Sequence, residues 1–358
     1  MRGRVLYRLL RPLLLGWLLL SVVFLLSRLA GFGSTVDLTP ETDILSSRQF
    51  ERQQAQQALQ KRLGLNLPLF YLSVVPHPSY GPWLLAVRWH GRHNQYHQWL
   101  RQLAAGSLGS SYRDGQPVTS IISEALPNTL RLTLPAAASS VGLTLWLGLR
   151  LARRRWWRTW VLSLCVALDA APLFLVATAL LLLLANPDAF PLFPAYGLPE
   201  SAGTESLWES GTRHLYYYAL PIGSLLLVTV PGLVLQLVAA LEQEAGSQYV
   251  VTARAKGLSD RQVLRGHVLR NAALPFITLL TDLLPALLAG AVVVEVIFAL
   301  PGMGRLLAEA AAARDYPVLL GGVALVAAAR LISYWLADAL YAWADPRLRR
   351  QTTLPTHA

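Results

Sequence analysis

The sequence predicts an all-α membrane protein with six transmembrane helices and a large extramembrane insertion between the first two. Three observations predict it. Of 358 residues, 54% are hydrophobic and only 14% charged, with a mean hydropathy of +0.42; a water-soluble domain carries about 25% charged residues. Six apolar segments approach the ~20 residues needed to cross a bilayer. The basic residues are sorted into alternate loops, as they are in polytopic membrane proteins.

The spans fall near 13–32, 128–149, 159–186, 215–240, 274–298 and 319–342. The first has an apolar core, Leu13 to Leu26, behind Arg2, Arg4, Arg8 and Arg11. That order also describes a signal peptide, but no clear small-x-small cleavage site comes after it, so an uncleaved helix is expected. In the insertion, Gln53 to Leu63 reads as a short polar helix, and Pro76, Pro78, Gly81 and Pro82 break the stretch after it. His90 to Leu103 is expected to be helical again. Arg153, Arg154 and Arg155 with Trp156, Trp157 and Trp160 form an interface anchor between spans two and three. Tyr216 to Tyr218 mark an outer boundary, and Tyr341 with Trp343 an inner one. Pro172, Pro221, Pro231 and Pro285 lie inside spans, where neighbouring helices can satisfy the carbonyls they free. The expected organisation is 1–32 (N-terminus and first helix), 33–127 (outer region), 128–342 (membrane core, containing a cytoplasmic loop 241–273) and 343–358 (tail).

Net charge is +11 and the pI about 10.1, which raises the question of nucleic acid. The distribution answers it. Residues 1–12, 150–158, 241–273 and 343–358 carry 17 Lys/Arg in 70 residues; 33–127, 187–214 and 299–318 carry 11 in 143. The first set is about threefold denser, which places it and both termini in the cytoplasm. This is topology, with no phosphate-binding stripe and no nucleic-acid partner expected. The one cysteine, Cys165, excludes an intrachain disulfide and a cysteine-based metal site. The two lysines, Lys61 and Lys256, precede Arg62 and Gly257, so no Gly-Lys-Ser/Thr phosphate loop exists. Any ATP chemistry belongs to another chain.

Residues 241–275 read LEQEAGSQYVVTARAKGLSDRQVLRGHVLRNAALP. Tyr249 to Lys256 predicts a helix that Gly257 stops in the left-handed conformation. Ser259 with Gln262 predicts a capping box opening a second helix. On it Val263, Leu264, His267 and Val268 share one face, Arg261 and Arg265 another. Such an apolar ridge suits either a groove on a partner protein or the lipid surface.

Tyr249-Val250-x-Thr252-Ala253-Arg254-Ala255-Lys256-Gly257-Leu258, then His267, Arg270-Asn271-Ala272 and Leu274-Pro275, resembles the coupling-loop signature of ABC transporter permeases. It is nearest the dipeptide/oligopeptide/nickel branch and its first-permease type. Gly106-x-Leu108-Gly109-x-Ser111 with Pro117-Val118 is similar to the stretch before that family's second span, and Leu126-Pro127-x-Thr129-Leu130 to the span's start. Glu295-Val296-Ile297-Phe298-x-x-Pro301-Gly302-Met303-Gly304-Arg305, Arg314-Asp315-Tyr316-Pro317, and Asp338-x-Leu340-Tyr341 with Asp345-Pro346-Arg347 resemble its C-terminal third.

The resemblance implies the ABC importer permease fold in a bacterial inner membrane, with lipid around it. It implies a heterodimer with a second permease, two cytoplasmic ABC ATPase subunits that bind the ATP and Mg, and a periplasmic substrate-binding protein. The substrate implied is a peptide or related small solute. This chain is then a transport subunit with no catalytic site or cofactor of its own. Its ATPase contacts are expected at Tyr249, Thr252, Ala253, Arg254, Ala255, Lys256, Gly257, Leu258, Arg265, His267, Arg270, Asn271 and Pro275. Ala253, Ala255 and Gly257 would allow close backbone approach, while Arg254, Lys256 and Arg265 would reach acidic groups. The chain departs from the family at an Arg-x-x-Arg pair, here Leu235 and Val238, at Gln248 in place of an acid, and at Tyr334 in place of an asparagine. About 25 extra residues lie between Leu67 and Tyr96.

Asp169, Asp282, Glu295, Arg330 and Asp338 lie in or near spans. Each costs about 2.5–3.5 kcal/mol at a helix centre, so each is expected to face a cavity, a partner or the interface. Arg330 is expected to pair with Glu295 or with an acid of the partner permease. Intramembrane acids also fit a proton-coupled secondary transporter, and the missing arginines fit a non-transporting scaffold or receptor. In the outer region His90, His93 and His97 would share one helical face, a candidate Zn, Ni or Cu site without a nearby carboxylate; a solvated polar face is the expectation.

Overall fold

A computed structural model describes residues 14–26, 67–77, 81–153, 156–197 and 207–344. The helices are α1 (Leu14–Leu26), α2 (Gln95–Ala104), α3 (Val118–Arg153), α4 (Arg158–Asp169), α5 (Leu173–Leu184), α6 (Leu207–Ala245), α7 (Gln248–Ala255), α8 (Asp260–Val263), α9 (Leu269–Ile297), α10 (Met303–Ala312) and α11 (Tyr316–Ala344). A π turn, Leu264–Val268, joins α8 to α9. Among the described residues four helices are long and apolar enough to cross a membrane, namely α3, α6, α8–α9 and α11. The bent pair α4/α5 makes up to five. The expected first span is represented by α1, whose described part is shorter than a crossing. The polar helix at 53–63, the arginines before α1, Arg154, Arg155 and the tail after Ala344 lie outside the described residues.

The span expected at 159–186, with Pro172 inside it, is two helices, α4 and α5, meeting at 103°. Pro172 is the cause: it has no N–H to continue the ladder, and its extended backbone (φ −63°, ψ 135°) caps α5. Asp169, expected as an intramembrane charge, ends α4 at this bend. Gly232 of α6 allows its approach, because a Cβ there would stand 2.4 Å from Asp169 Oδ1.

The chain divides into two compact units. The first comprises residues 125–308 and 325–358. Its core runs along α3, α5, α6 and α9 through Leu132, Leu181, Leu225, Leu237, Leu287 and Val294, all buried. The second comprises 2–124 and 309–324. Here the all-α expectation needs correction, since Leu72–His77 and Gly81–Trp89 pair as an antiparallel hairpin, β1 and β2. Of the prolines expected to break this stretch, Pro76 and Pro82 lie at the ends of β1 and β2 that adjoin each other in the chain, with an irregularity between Pro76 and His77, where they cost the ladder least. Pro78 lies outside the described residues. Phe24 of α1 stacks on Trp99 of α2 at 4.8 Å between ring centroids, and Ser21 Oγ lies 2.8 Å from Tyr96 Oη.

Two sequence motifs about 200 residues apart meet in this second unit. Asp315, 3% exposed, accepts a hydrogen bond from Ser111 Oγ and another from the Tyr112 N–H at 3.1 Å. Gly106 and Gly109 shape the loop that presents Ser111, with φ of +77° and +86°. Asp315→Ala leaves a buried hydroxyl and a backbone donor without their acceptor, at about 1–3 kcal/mol. The expected result is a lower midpoint of thermal unfolding and faster proteolytic cleavage within 105–117, both read on purified protein.

Candidate functional site: a coupling loop and a buried carboxylate

The cytoplasmic-loop segment folds as two short helices. α7 starts after Ser247 and ends where Gly257 takes φ +84°, the left-handed stop that glycine adopts without a Cβ penalty. Ser259 and Gln262 form the complete capping box of α8. The expected second-helix ridge is not an outward one. Val263 and Val268 are buried in the core of the chain itself, together with Val250 and Ala253 of the first helix. Leu258 and Leu264 are half-buried against that core. His267 does not join them and is exposed. The π turn explains this, because the Leu269 N–H bonds back to the Leu264 carbonyl, five residues away, and the wider turn rotates His267 off the inward face.

The outward face is therefore carried by Val251, Thr252, Arg254, Ala255 and Lys256, with Arg261, His267, Arg270, Asn271 and Pro275 also exposed. Val251 is 64% exposed, one helical turn before the exposed Arg254. Ala253, expected to permit approach of a partner, instead permits packing inward. Arg265 lies in the π turn. Arg254 Nε donates to Asp260 Oδ1 at 3.1 Å, tying α7 to α8 on the surface. Tyr249 ties the loop to α6, its hydroxyl donating to Glu244 Oε2 at 2.8 Å. Burial, and next the bond to the Glu244 carboxylate, push the Tyr249 hydroxyl above its ordinary value, while Asn271 and Ser247 pull the other way.

A second constellation joins Thr129 of α3 to the turn between α9 and α10. Glu295 is 1% exposed. Its Oε1 accepts from Thr129 Oγ1 at 2.6 Å, and its Oε2 accepts the N–H groups of Gly304 at 2.6 Å and Arg305 at 3.2 Å. Thr129 Oγ1 in turn accepts the Met303 N–H at 2.7 Å. A carboxylate at the start of α10 thus takes the free first-turn donors of that helix and lies at the positive end of its dipole. Gly302 and Gly304 are required by the fit. A Cβ on Gly302 would lie 2.3 Å from the Glu295 carboxyl, and one on Gly304 2.3 Å from Val292 Cα. The resemblance marks both motifs, but nothing in either shows that they close on one another.

The remaining candidates separate. Arg330 pairs with Asp282 rather than with Glu295, and its Nε donates to Tyr334 Oη at 3.2 Å. Asp338 is exposed, two turns further along α11. His90 and His93 precede α2, which begins at Gln95 after the Asn94 cap, so the three histidines do not share a helical face. His90 Nε2 bonds Ser73 Oγ at 2.6 Å and His97 Nδ1 bonds Tyr71 Oη at 2.9 Å. Among the described residues no group of three or more His, Cys, Asp or Glu is placed to hold a metal.

Four to five apolar helices long enough to cross a membrane, a two-helix loop between α6 and α9, and the capped helix α10 after α9 are the frame of a polytopic membrane protein. Residues 140–350 match the family described as binding-protein-dependent transport system inner membrane component, and the chain belongs to that family. It is a multi-pass inner-membrane permease of the ABC transport class. A Brucella abortus chain provisionally named a peptide transport system permease protein is 35% identical over 258 residues, 71% of this chain and 79% of its own length. The oligopeptide transport system permease protein AppB of Bacillus subtilis is 33% identical, with the same coverage. The di/tripeptide transport system permease protein DppB of Pseudomonas aeruginosa is 30% identical over 87% of this chain and 90% of its own.

The geometry makes two outcomes measurable. Thr129→Val strips Glu295 of a donor and the Met303 N–H of its acceptor, costing about 1–3 kcal/mol. Gly304→Ala forces a Cβ against the α9 backbone at a comparable cost. Both should lower the thermal midpoint in detergent, Gly304→Ala the more if the backbone cannot yield. For Tyr249, a hydroxyl whose folded pKa lies above the unfolded value of about 10 contributes stability that is complete below pH 10 and lost as pH rises through the folded value. Tyr249→Phe should therefore be less stable than wild type at pH 8, and the gap should shrink by pH 11 in thermal unfolding.

Proposed function

We propose that this chain is a membrane-spanning subunit of an ATP-driven importer, forming with a second permease the path for peptides or a related small solute. It rests its coupling loop on a separate cytoplasmic ABC ATPase. The exposed residues of that loop carry the reading: Val251, Arg254, Lys256 and Arg261, on helices braced from behind by Val250, Ala253, Val263 and Val268. A rigidly backed, cationic, partly apolar knob suits an acidic-rimmed groove, and it transmits a push because its inner face is locked to α6 and α9. Tyr249, Thr252, Ala255, Gly257, Leu258, Arg265, His267, Arg270, Asn271 and Pro275 complete or support this surface.

The fuller assembly has two ATPase subunits holding the ATP and Mg, a periplasmic binding protein delivering solute, and a second permease that is a different chain. In the membrane we place six spans, α1 being the first, the 33–127 insertion periplasmic, both termini cytoplasmic, 128–342 as the core and 343–358 as a cytoplasmic tail. The relatives named for peptide transport support a peptide substrate. The chain itself has no catalytic role. Its acids offer little to a proton relay, as Glu295 is held by Thr129 and the α10 amides and Asp282 by Arg330.

The complete complex reconstituted in liposomes tests this. ATP-dependent uptake of a radiolabelled tripeptide is expected. Uptake driven by a proton gradient without ATP, or no uptake at all, overturns the reading. In the same system Arg254→Glu combined with Lys256→Glu should cut solute-stimulated ATP hydrolysis at least tenfold while the subunits still co-purify.

A further inference from the structure

Asp282 and Arg330 sit near the midpoints of α9 and α11. Their side chains bond one another, yet they stay 66% and 39% exposed on this chain. The Arg330 guanidinium also lies 5.0 Å from the centre of the Tyr334 ring. Charges at that depth are costly against hydrocarbon, so this face meets water or protein. The residues around the pair decide which. On α11, Arg330, Tyr334, Asp338 and Tyr341 recur every three or four residues and share one side. On α9, Pro275, Thr278, Asp282, Ala286 and Ala289 are exposed with the same spacing. Thr278 Oγ1 and Tyr341 Oη hydrogen-bond across the two helices. The strip is polar from mid-helix to the end beside the coupling loop, and small and apolar beyond Asp282. A permanent protein contact would take water from both charges with a single ion pair in return. A hydrated lumen leaves them solvated.

We infer that this strip lines the cytoplasmic half of the solute path, and that Asp282 and Arg330 receive the opposite charges of a zwitterionic solute, the ammonium and carboxylate ends of a short peptide. The inference rests on the importer reading above. As solute arrives, the internal pair exchanges for two pairs of the same kind, Arg330 taking the carboxylate in its planar fork and Asp282 the ammonium. The two new pairs replace the internal pair and the water on the solute's charged ends, so the solute is held without being trapped.

The test uses the full complex in nanodiscs, with Cys165→Ala as background and single cysteines at Thr278→Cys, Tyr334→Cys and, off the strip, Leu336→Cys. Charged, membrane-impermeant methanethiosulfonate reagents should label the first two at least tenfold faster than the third, and millimolar trialanine should slow them. Thr278→Cys labelling no faster than Leu336→Cys overturns the inference. In liposomes, the doubly neutral Asp282→Asn/Arg330→Gln variant should lower trialanine uptake per ATP hydrolysed at least tenfold. An unchanged ratio also overturns it, since a purely structural pair can be neutralised on both sides at little loss. If the double variant fails to assemble, the labelling rates alone decide. A wild-type complex without ATP-dependent uptake removes the importer reading itself, an outcome distinct from slow labelling in a transport-competent complex.

Discussion

The Glu295 carboxylate is the point on which the junction of α3, α9 and α10 depends. A buried charge is tolerated only when its acceptor positions are filled. Glu295 fills them with one hydroxyl from α3 and two backbone amides from α10. Thr129 is the hinge of the arrangement, because its single hydroxyl gives a proton to Glu295 and accepts one from Met303. The same turn is closed by the Asn128 amide on the Pro301 carbonyl at 2.9 Å and by Arg305 Nη1 on the Ala299 carbonyl at 3.1 Å. Ala299 is held at φ +52°, a backbone state that an alanine adopts only under outside constraint. The two glycines are then a steric consequence of the carboxylate: any side chain at 302 or 304 would displace it or the α9 backbone.

At the other end of α9 the organising constraint is apolar. The coupling helices are short, and helices of that length are marginal in isolation. They hold their shape because Val250, Ala253, Val263 and Val268 are inserted into the core formed by α6 and α9. The π turn is the joint between loop and membrane. By spending one extra residue per turn it keeps Val263 and Val268 on the inner face while the chain passes directly into α9. The loop is thus continuous with α9, which carries Glu295 in its last turn before ending at Ile297. The loop and the buried carboxylate are two ends of one helix.

Where the sequence is readable, a local rule governs the outcome. The Ser259–Gln262 box, the stop at Gly257 and the long apolar helices arise from capping, backbone freedom and periodicity over a few residues. Where it is not, the outcome rests on partners distant in the chain. Asp282 and Glu295 both carry carboxyl groups and both lie in α9, and only the fold gives one to Arg330 and the other to Thr129. The hairpin at 72–89 is hidden because its prolines signal a break, and only pairing shows that they stand at the turn. The ridge on the second coupling helix reads as a partner's surface because a 3.6-residue period says which residues share a face but not what that face meets. The break at Pro172 lies between these cases, since the proline is visible in the sequence and the angle is not.

The positions of the missing arginine pair show how such a loss is absorbed. Val238 is 3% exposed and packs with Leu151 of α3, Cys165 of α4 and Val234 of α6, with Leu235, Trp157, Val161 and Leu162 around them. A guanidinium at 238 in this environment would need an acid or water that the cluster does not provide, so the site has been rebuilt around the substitution. One turn further along α6, on the side facing α4, Glu242 pairs with Arg158. The polar link between these two helices thus sits at the start of α4 and the end of α6, and the apolar seal begins immediately behind it. Between α4 and α6 the Arg158–Glu242 pair and the apolar cluster behind it therefore act in sequence, one charged contact at the surface and packing beneath it.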